Sequence, residues 1–139
     1  MPDLALLANG GKIVFASSVD DRHPPENMLD GDEKTFWIST GLFPQEIVIE
    51  LGGSEAQKVS SLRFSGSNIK TARVEVSTDS TPSSFSSASQ ETEYPNRKGE
   101  VHGEVLSLNG TQSARFVKFV VTGGWDSFVS LHKISVGQE

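Results

Sequence analysis

Apolar and polar side chains alternate through Glu46-Ile47-Val48-Ile49-Glu50-Leu51, and this leaves the chain few ways to fold. A period of two puts Ile47, Ile49 and Leu51 on one face of a strand and turns the acids between them toward water. The same period recurs in Thr71-Ala72-Arg73-Val74-Glu75-Val76, with Ala72, Val74 and Val76 inward and Arg73 and Glu75 outward. Between Arg115 and Thr122 apolar residues occupy both faces. That pattern fits a central strand, or one whose outer face meets a partner. Phe128 to Val136 reads as a less regular closing strand. No stretch carries a helical period and Gly and Pro turns separate the runs, so the fold class is all-β, a β-sandwich. A chain of 139 residues has the size of one domain, assigned here to 1–139.

The loop entering this sandwich is His23-Pro24-Pro25-Glu26-Asn27-Met28-Leu29-Asp30-Gly31-Asp32-Glu33-Lys34-Thr35-Phe36-Trp37. Pro24-Pro25 sets two φ angles and withholds two backbone donors, giving a stiff, extended approach. Asn27, Asp30, Asp32 and the Thr35 hydroxyl then offer hard oxygen atoms, with Gly31 allowing a bend between the aspartates. Such a set suits calcium better than zinc or magnesium. It equally suits an ordinary turn, since Asp-Gly-Asp side chains bond their own backbone, and the spacing is not that of an EF-hand.

These residues carry a family resemblance. Ala16-Ser17-Ser18, Pro25-Glu26-Asn27, Leu29-Asp30-Gly31, Thr35-Phe36-Trp37 and Ser39 resemble the first third of the discoidin, or coagulation factor V/VIII C-domain, family. Val74 to Asp79, Phe85 and Ala114 to Phe119 continue the match over nearly the whole chain. More narrowly, His23 to Asn27, Phe36-Trp37 and Thr40-Gly41-Leu42-Phe43-Pro44-Gln45-Glu46 resemble the small discoidin-fold subunits of intraflagellar transport complex B, also described as small heat-shock-like proteins. The resemblance implies a jelly-roll β-sandwich like the galactose-binding domains, with Trp37 as a core plug. It also implies a non-catalytic adaptor in cilium or flagellum and in cytoplasm near the basal body. The partners implied are a Rab-like small GTPase, in an obligate heterodimer, and other complex B subunits.

The resemblance further implies a structural calcium held by Asn27, Asp30, Asp32 and Thr35, with backbone oxygen from the region of Ser130. Lys133 stands where many relatives carry a ligating glutamate, so a weak site is expected. Phe116, Lys118 and Val120 on the doubly apolar strand, and Trp125, are the candidate partner contacts. Gly123-Gly124-Trp125-Asp126 places an indole in a late loop, where it plugs the core, stacks on a sugar or anchors a protein. Sugar binding is therefore the alternative function.

A net charge of −6 argues against nucleic acid or an anionic membrane as partner. Val19 to Pro24 has no apolar spike for membrane insertion. The chain has no cysteine, which is compatible with a reducing compartment, and Met1 to Leu7 does not look like a signal peptide. Hydrolase, phosphate-loop and dinucleotide motifs are missing, and His23, His102 and His132 are scattered, so no enzyme is expected. Ser77 to Gln90 reads as a polar surface loop, and Asn109-Gly110-Thr111 as a hairpin turn rather than a glycosylation acceptor.

Overall fold

The computed structural model describes residues 10–17, 24–30, 36–39, 43–52, 56–79, 81, 84–98, 100–126 and 128–137. Its strands are β1 (Lys12–Ala16), β2 (Trp37–Ile38), β3 (Gln45–Glu50), β4 (Gln57–Ser67), β5 (Ile69–Ser77), β6 (Ser86–Ser87), β7 (Thr92–Glu93), β8 (His102–Ala114), β9 (Phe116–Gly124) and β10 (Ser130–Gly137). A short 3-10 helix, Pro25–Leu29, precedes β2. Two antiparallel sheets form a sandwich. One runs β1-β3-β9-β5-β6 with β7 also on β5, the other β2-β10-β4-β8.

Alternation does what the sequence predicts in β3 and β5: Ile47, Ile49, Leu51, Ala72, Val74 and Val76 are buried in the core. Trp37, the expected plug, is fully buried, as are Met28 and Leu29 from the 3-10 helix. Phe64 of β4 and Phe119 of β9 meet between the sheets with ring centroids 5.2 Å apart. Strand β9 lies at the centre of its sheet, between β3 and β5, which accounts for its apolar residues on both faces.

Two local expectations are corrected. Asn109-Gly110 is not a hairpin turn. Strand β8 runs on through it, and the register jumps from Ser61↔Ser107 to Val59↔Gln112, so the intervening residues bulge out of the ladder. Gly110 takes φ +89°, a conformation easy for glycine, and the bulge is tied down where Asn109 N–H and the Gln112 side chain donate to the Ala88 carbonyl at 2.8 and 3.1 Å. Nor is Ser77 to Gln90 wholly a surface loop. Ser86–Ser87 pair with β5, and Ala88 and Ser89 are buried, with Ser89 Oγ accepting the Val74 N–H at 2.9 Å. Small serines can approach a backbone closely, which a hydropathy reading of a Ser-rich run overlooks.

The irregular closing strand is explained by a register shift between Leu131 and Lys133 in β10. Asn68, φ 65°, is the single residue between β4 and β5 in different sheets, a left-handed position that asparagine tolerates.

Candidate functional site

Three places in this frame carry the residues singled out above. The first is the loop after the proline pair. The extended reading of the proline pair, in which no helix could start, holds for Pro24 alone: Pro25 opens the 3-10 helix, where a proline's fixed φ and missing donor suit the first turn, and Asp30 caps its C-terminal end with φ −86°. Asn27 Nδ2 donates to the Phe36 carbonyl at 3.1 Å, cinching the ends of the intervening segment together. Phe36 stacks on His132 with centroids 5.0 Å apart. Asp32 and Thr35 lie outside the described residues. Ser130 pairs in register with Ile38 of β2 on one side and Ser67 of β4 on the other. Its hydroxyl is 2.6 Å from Ser67 Oγ on β4, and its carbonyl oxygen lies against Gly66, where any Cβ would collide with it. Among the described residues no group of three or more His, Asp or Glu converges on one point. The donors that remain, Asn27 and Asp30, are oxygen donors of the kind calcium takes.

The second place is the outer face of β9. Its register aligns Val48, Lys118 and Glu75 in one row across β3, β9 and β5. Lys118 Nζ sits 3.8 Å from Glu75 and 4.5 Å over the Phe85 ring, and Arg73 also pairs with Glu75 at 3.2 Å. Phe116 and Val120 are 3% and 0% exposed. They are therefore corrected from contact residues to residues already covered within the chain, leaving Lys118 as the accessible member of the set on this strand. The groove around it is bordered by Val14, Phe15, Glu46 and Phe85. A bulge in β1 between Ile13 and Phe15 leaves Val14 and Phe15 exposed, Phe15 by half. This pair escaped the sequence because a bulge breaks the period on which inward and outward faces are assigned.

The third place is the loop after β9. Trp125 is at the surface, not in the core. Its backbone N–H donates to the Asn68 carbonyl at 2.8 Å, its indole N–H to the Tyr94 carbonyl at 3.1 Å, and Lys70 Nζ lies 5.0 Å over the ring. Tyr94 N–H in turn donates to the Lys70 carbonyl at 2.7 Å, so Tyr94 fastens the loop to β5. The Tyr94 ring packs edge-on to Phe64 at 5.3 Å, and its buried hydroxyl has no hydrogen-bond partner among the described residues. Burial, reinforced by the negative charge of Glu104, pushes its pKa up to about 12.

Comparison with known proteins follows the same outline. The family model described as F5/8 type C domain matches residues 13–134. Intraflagellar transport protein 25 of Chlamydomonas reinhardtii is 38% identical over 136 residues, covering 98% of this chain and 69% of that protein. The human intraflagellar transport protein 25 homolog is 32% identical over 134 residues, covering 96% of this chain and 90% of that one. Among solved structures, the module CBM32-5 from Clostridium perfringens, in complex with GalNAc-β-1,3-galactose, superposes with a TM-score of 0.80 at 23% identity, covering 98% and 99% of the two chains. Chitosan-binding module 1 from a chitosanase/glucanase of Paenibacillus sp. IK-5 gives 0.77 at 22% identity, covering 98% of each. These two likenesses establish the discoidin-like sandwich fold.

Tyr94 is the single tyrosine of the chain, so its ionisation can be followed by ultraviolet absorption alone. A raised pKa means the folded state favours the neutral phenol. That stabilisation is complete below pH 10 and is lost as pH climbs through about 12. The expected titration midpoint is near 12 in buffer and near 10 in urea. A midpoint near 10 in the folded protein would show the hydroxyl to be solvated.

Proposed function

The chain belongs to the F5/8 type C domain family and, within it, with intraflagellar transport protein 25, and from this premise we propose that it is a non-catalytic adaptor subunit of the intraflagellar transport machinery of cilia or flagella. The observation that carries this reading is similarity over 96–98% of the chain to both an algal and a mammalian intraflagellar transport protein 25. Its work is recognition. The fold offers sheet faces and loop ends, and function in such a domain comes from the site, not the scaffold.

The partner proposed is a Rab-like small GTPase of intraflagellar transport complex B, with other subunits of the complex joining the pair to carry cargo. The nucleotide and its magnesium belong to that partner. Its docking place is the groove at Lys118, where exposed Phe15 and Val14 supply apolar contact and Glu46 and Lys118 a charged rim. Co-expression with the GTPase should give a one-to-one complex by size exclusion with light scattering. Phe15→Asp, at an exposed position, should weaken it about tenfold without lowering the melting temperature. A chain that stays monomeric beside the GTPase would refute the pairing.

A structural calcium at Asn27, Asp30, Asp32 and Thr35 belongs to the same reading. Asp30 supplies the carboxylate from the helix end, and Asn27 holds the loop closed through Phe36. A bound cation would order the loop and stabilise the fold by mass action, about 2.7 kcal/mol at a hundredfold excess over Kd. Calcium should accordingly raise the melting temperature relative to chelator, and Asp30→Ala should remove that rise. Equal melting temperatures of the natural chain in calcium and in chelator would exclude the site.

Sugar binding is the second reading. It is favoured by Trp125, which is 36% exposed and borders an open pocket with Asn68, Asn96, Lys98, Asp126 and Phe128. The lysine over one face of the ring and the committed indole N–H leave less of this side chain for a saccharide. A glycan array decides it. A specific hit abolished by Trp125→Ala would favour a lectin, and a blank array would leave the adaptor.

A further inference from the structure

The outer face of the four-stranded sheet carries a surface used by none of the sites above. Phe64 and its cross-strand partners Ile134 and Glu104 face inward, so the residues beside them face out. Ser135, Arg63 and Val105 make one row across β10, β4 and β8, and Lys133, Ser65 and Gly103 make the next. These six, with Phe64 and Glu104, line a shallow trough of about 300 Å³. Part of its depth comes from Gly103. A Cβ there would meet nothing nearer than the Phe64 carbonyl oxygen at 3.9 Å, so packing does not require glycine at this position.

The charge of the trough is opposite to that of the chain. Arg63 and Lys133 stand on a diagonal of the lattice, a separation of roughly 7–8 Å between Cα atoms. Lys133 makes no ion pair among the described residues. Glu104, the acid at the border, is drawn inward, with its Oε2 at 3.3 Å from His102 Nε2 and 4.0 Å from Arg97 Nη2. Arg63 is exposed and Lys133 half-buried on this face of a protein of net charge −6. Val105, 45% exposed, and Val101, 50% exposed at the start of β8, add an apolar shelf at the edge.

We propose that this trough docks an extended acidic segment of a partner protein, with carboxylates two residues apart. In an extended strand, side chains two apart share a face at roughly 6.8 Å, which matches the diagonal between Arg63 and Lys133. The exposed guanidinium attracts one carboxylate and the ammonium takes the other as a point charge. A residue two places before or after the acids shares their face and rests on Val105. A lipid surface fits less well, since anionic membranes are held by clusters of roughly 4–8 cations. The trough lies on the opposite layer from the Lys118 groove, so the proposal does not depend on the GTPase pairing.

The test is an amide chemical-shift titration of the full chain with an octapeptide containing Glu-Val-Glu between neutral ends. Saturable shifts confined to residues 63–65, 103–105 and 133–135, weakening with salt, are expected. Lys133→Glu should lower the affinity by about tenfold or more. Gly103→Val, which fills the trough at a position with room for a side chain, should do the same with the melting temperature preserved. Lys133→Ser serves if either variant fails to fold. Absent shifts, shifts mapping elsewhere, or equal binding of a Lys-Val-Lys peptide would overturn the proposal. So would co-sedimentation with vesicles of equal parts phosphatidylcholine and phosphatidylserine in the absence of peptide binding.

Discussion

Everything on this protein's surface depends on the contact between its two sheets. Phe64 of β4 and Phe119 of β9 meet there at 5.2 Å, and Tyr94 closes on the edge of Phe64. Each such ring contributes on the order of 1.5–3 kcal/mol by leaving water, with a further 0.5–1.5 kcal/mol for a well-placed aromatic pair. This arrangement of the strands buries Phe64, Phe119, Trp37 and the isoleucines of β3 in one core. Once Phe64 faces in, Arg63 and Ser65 must face out, and once Phe119 faces in, so do Lys118 and Val120. Both candidate docking faces are thus consequences of the core.

The two faces differ in how they are finished. On the larger sheet, Phe116 and Val120 are closed off within the chain, and the charges of Arg73, Glu75 and Lys118 are joined in a half-buried network. What remains open there is the apolar edge at Phe15. On the smaller sheet the outward residues are short or basic, and the inward residue at the edge, Glu104, is charged. An inward-pointing acid on an edge strand discourages pairing with another sheet edge, while the outer face beside it stays accessible. One face suits an apolar contact and the other an anion.

The loop end is organised by backbone, not by side-chain chemistry. Asn68 turns the chain from one sheet to the other, and its carbonyl receives the Trp125 N–H. Gly66 lets the Ser130 carbonyl lie against β4, and Ser67 and Ser130 share a buried hydroxyl contact. These close approaches hold β10 to β4. Tyr94 and Trp125 lock the same end through one carbonyl.

Local rules were sufficient for the strands of this protein. Alternation in Glu46 to Leu51 and in Thr71 to Val76 is a property of neighbouring residues, so the all-β class and the inward faces were legible without a structure, while Trp37 as a plug came from the family resemblance. The oxygen-rich loop and its family resemblance were legible for the same reason. What the tertiary structure alone decided are relations between residues distant in sequence. Asn109-Gly110 has a turn composition but lies in a bulge because Ala88 offers a carbonyl there. Ser130 has a ligand's chemistry but faces Ser67. Arg63 and Lys133, seventy residues apart, become neighbours only through the register of β4 and β10. A one-dimensional period specifies which way a side chain points, whereas its neighbours are set by how strands pair, and that pairing is chosen by the burial of the whole core.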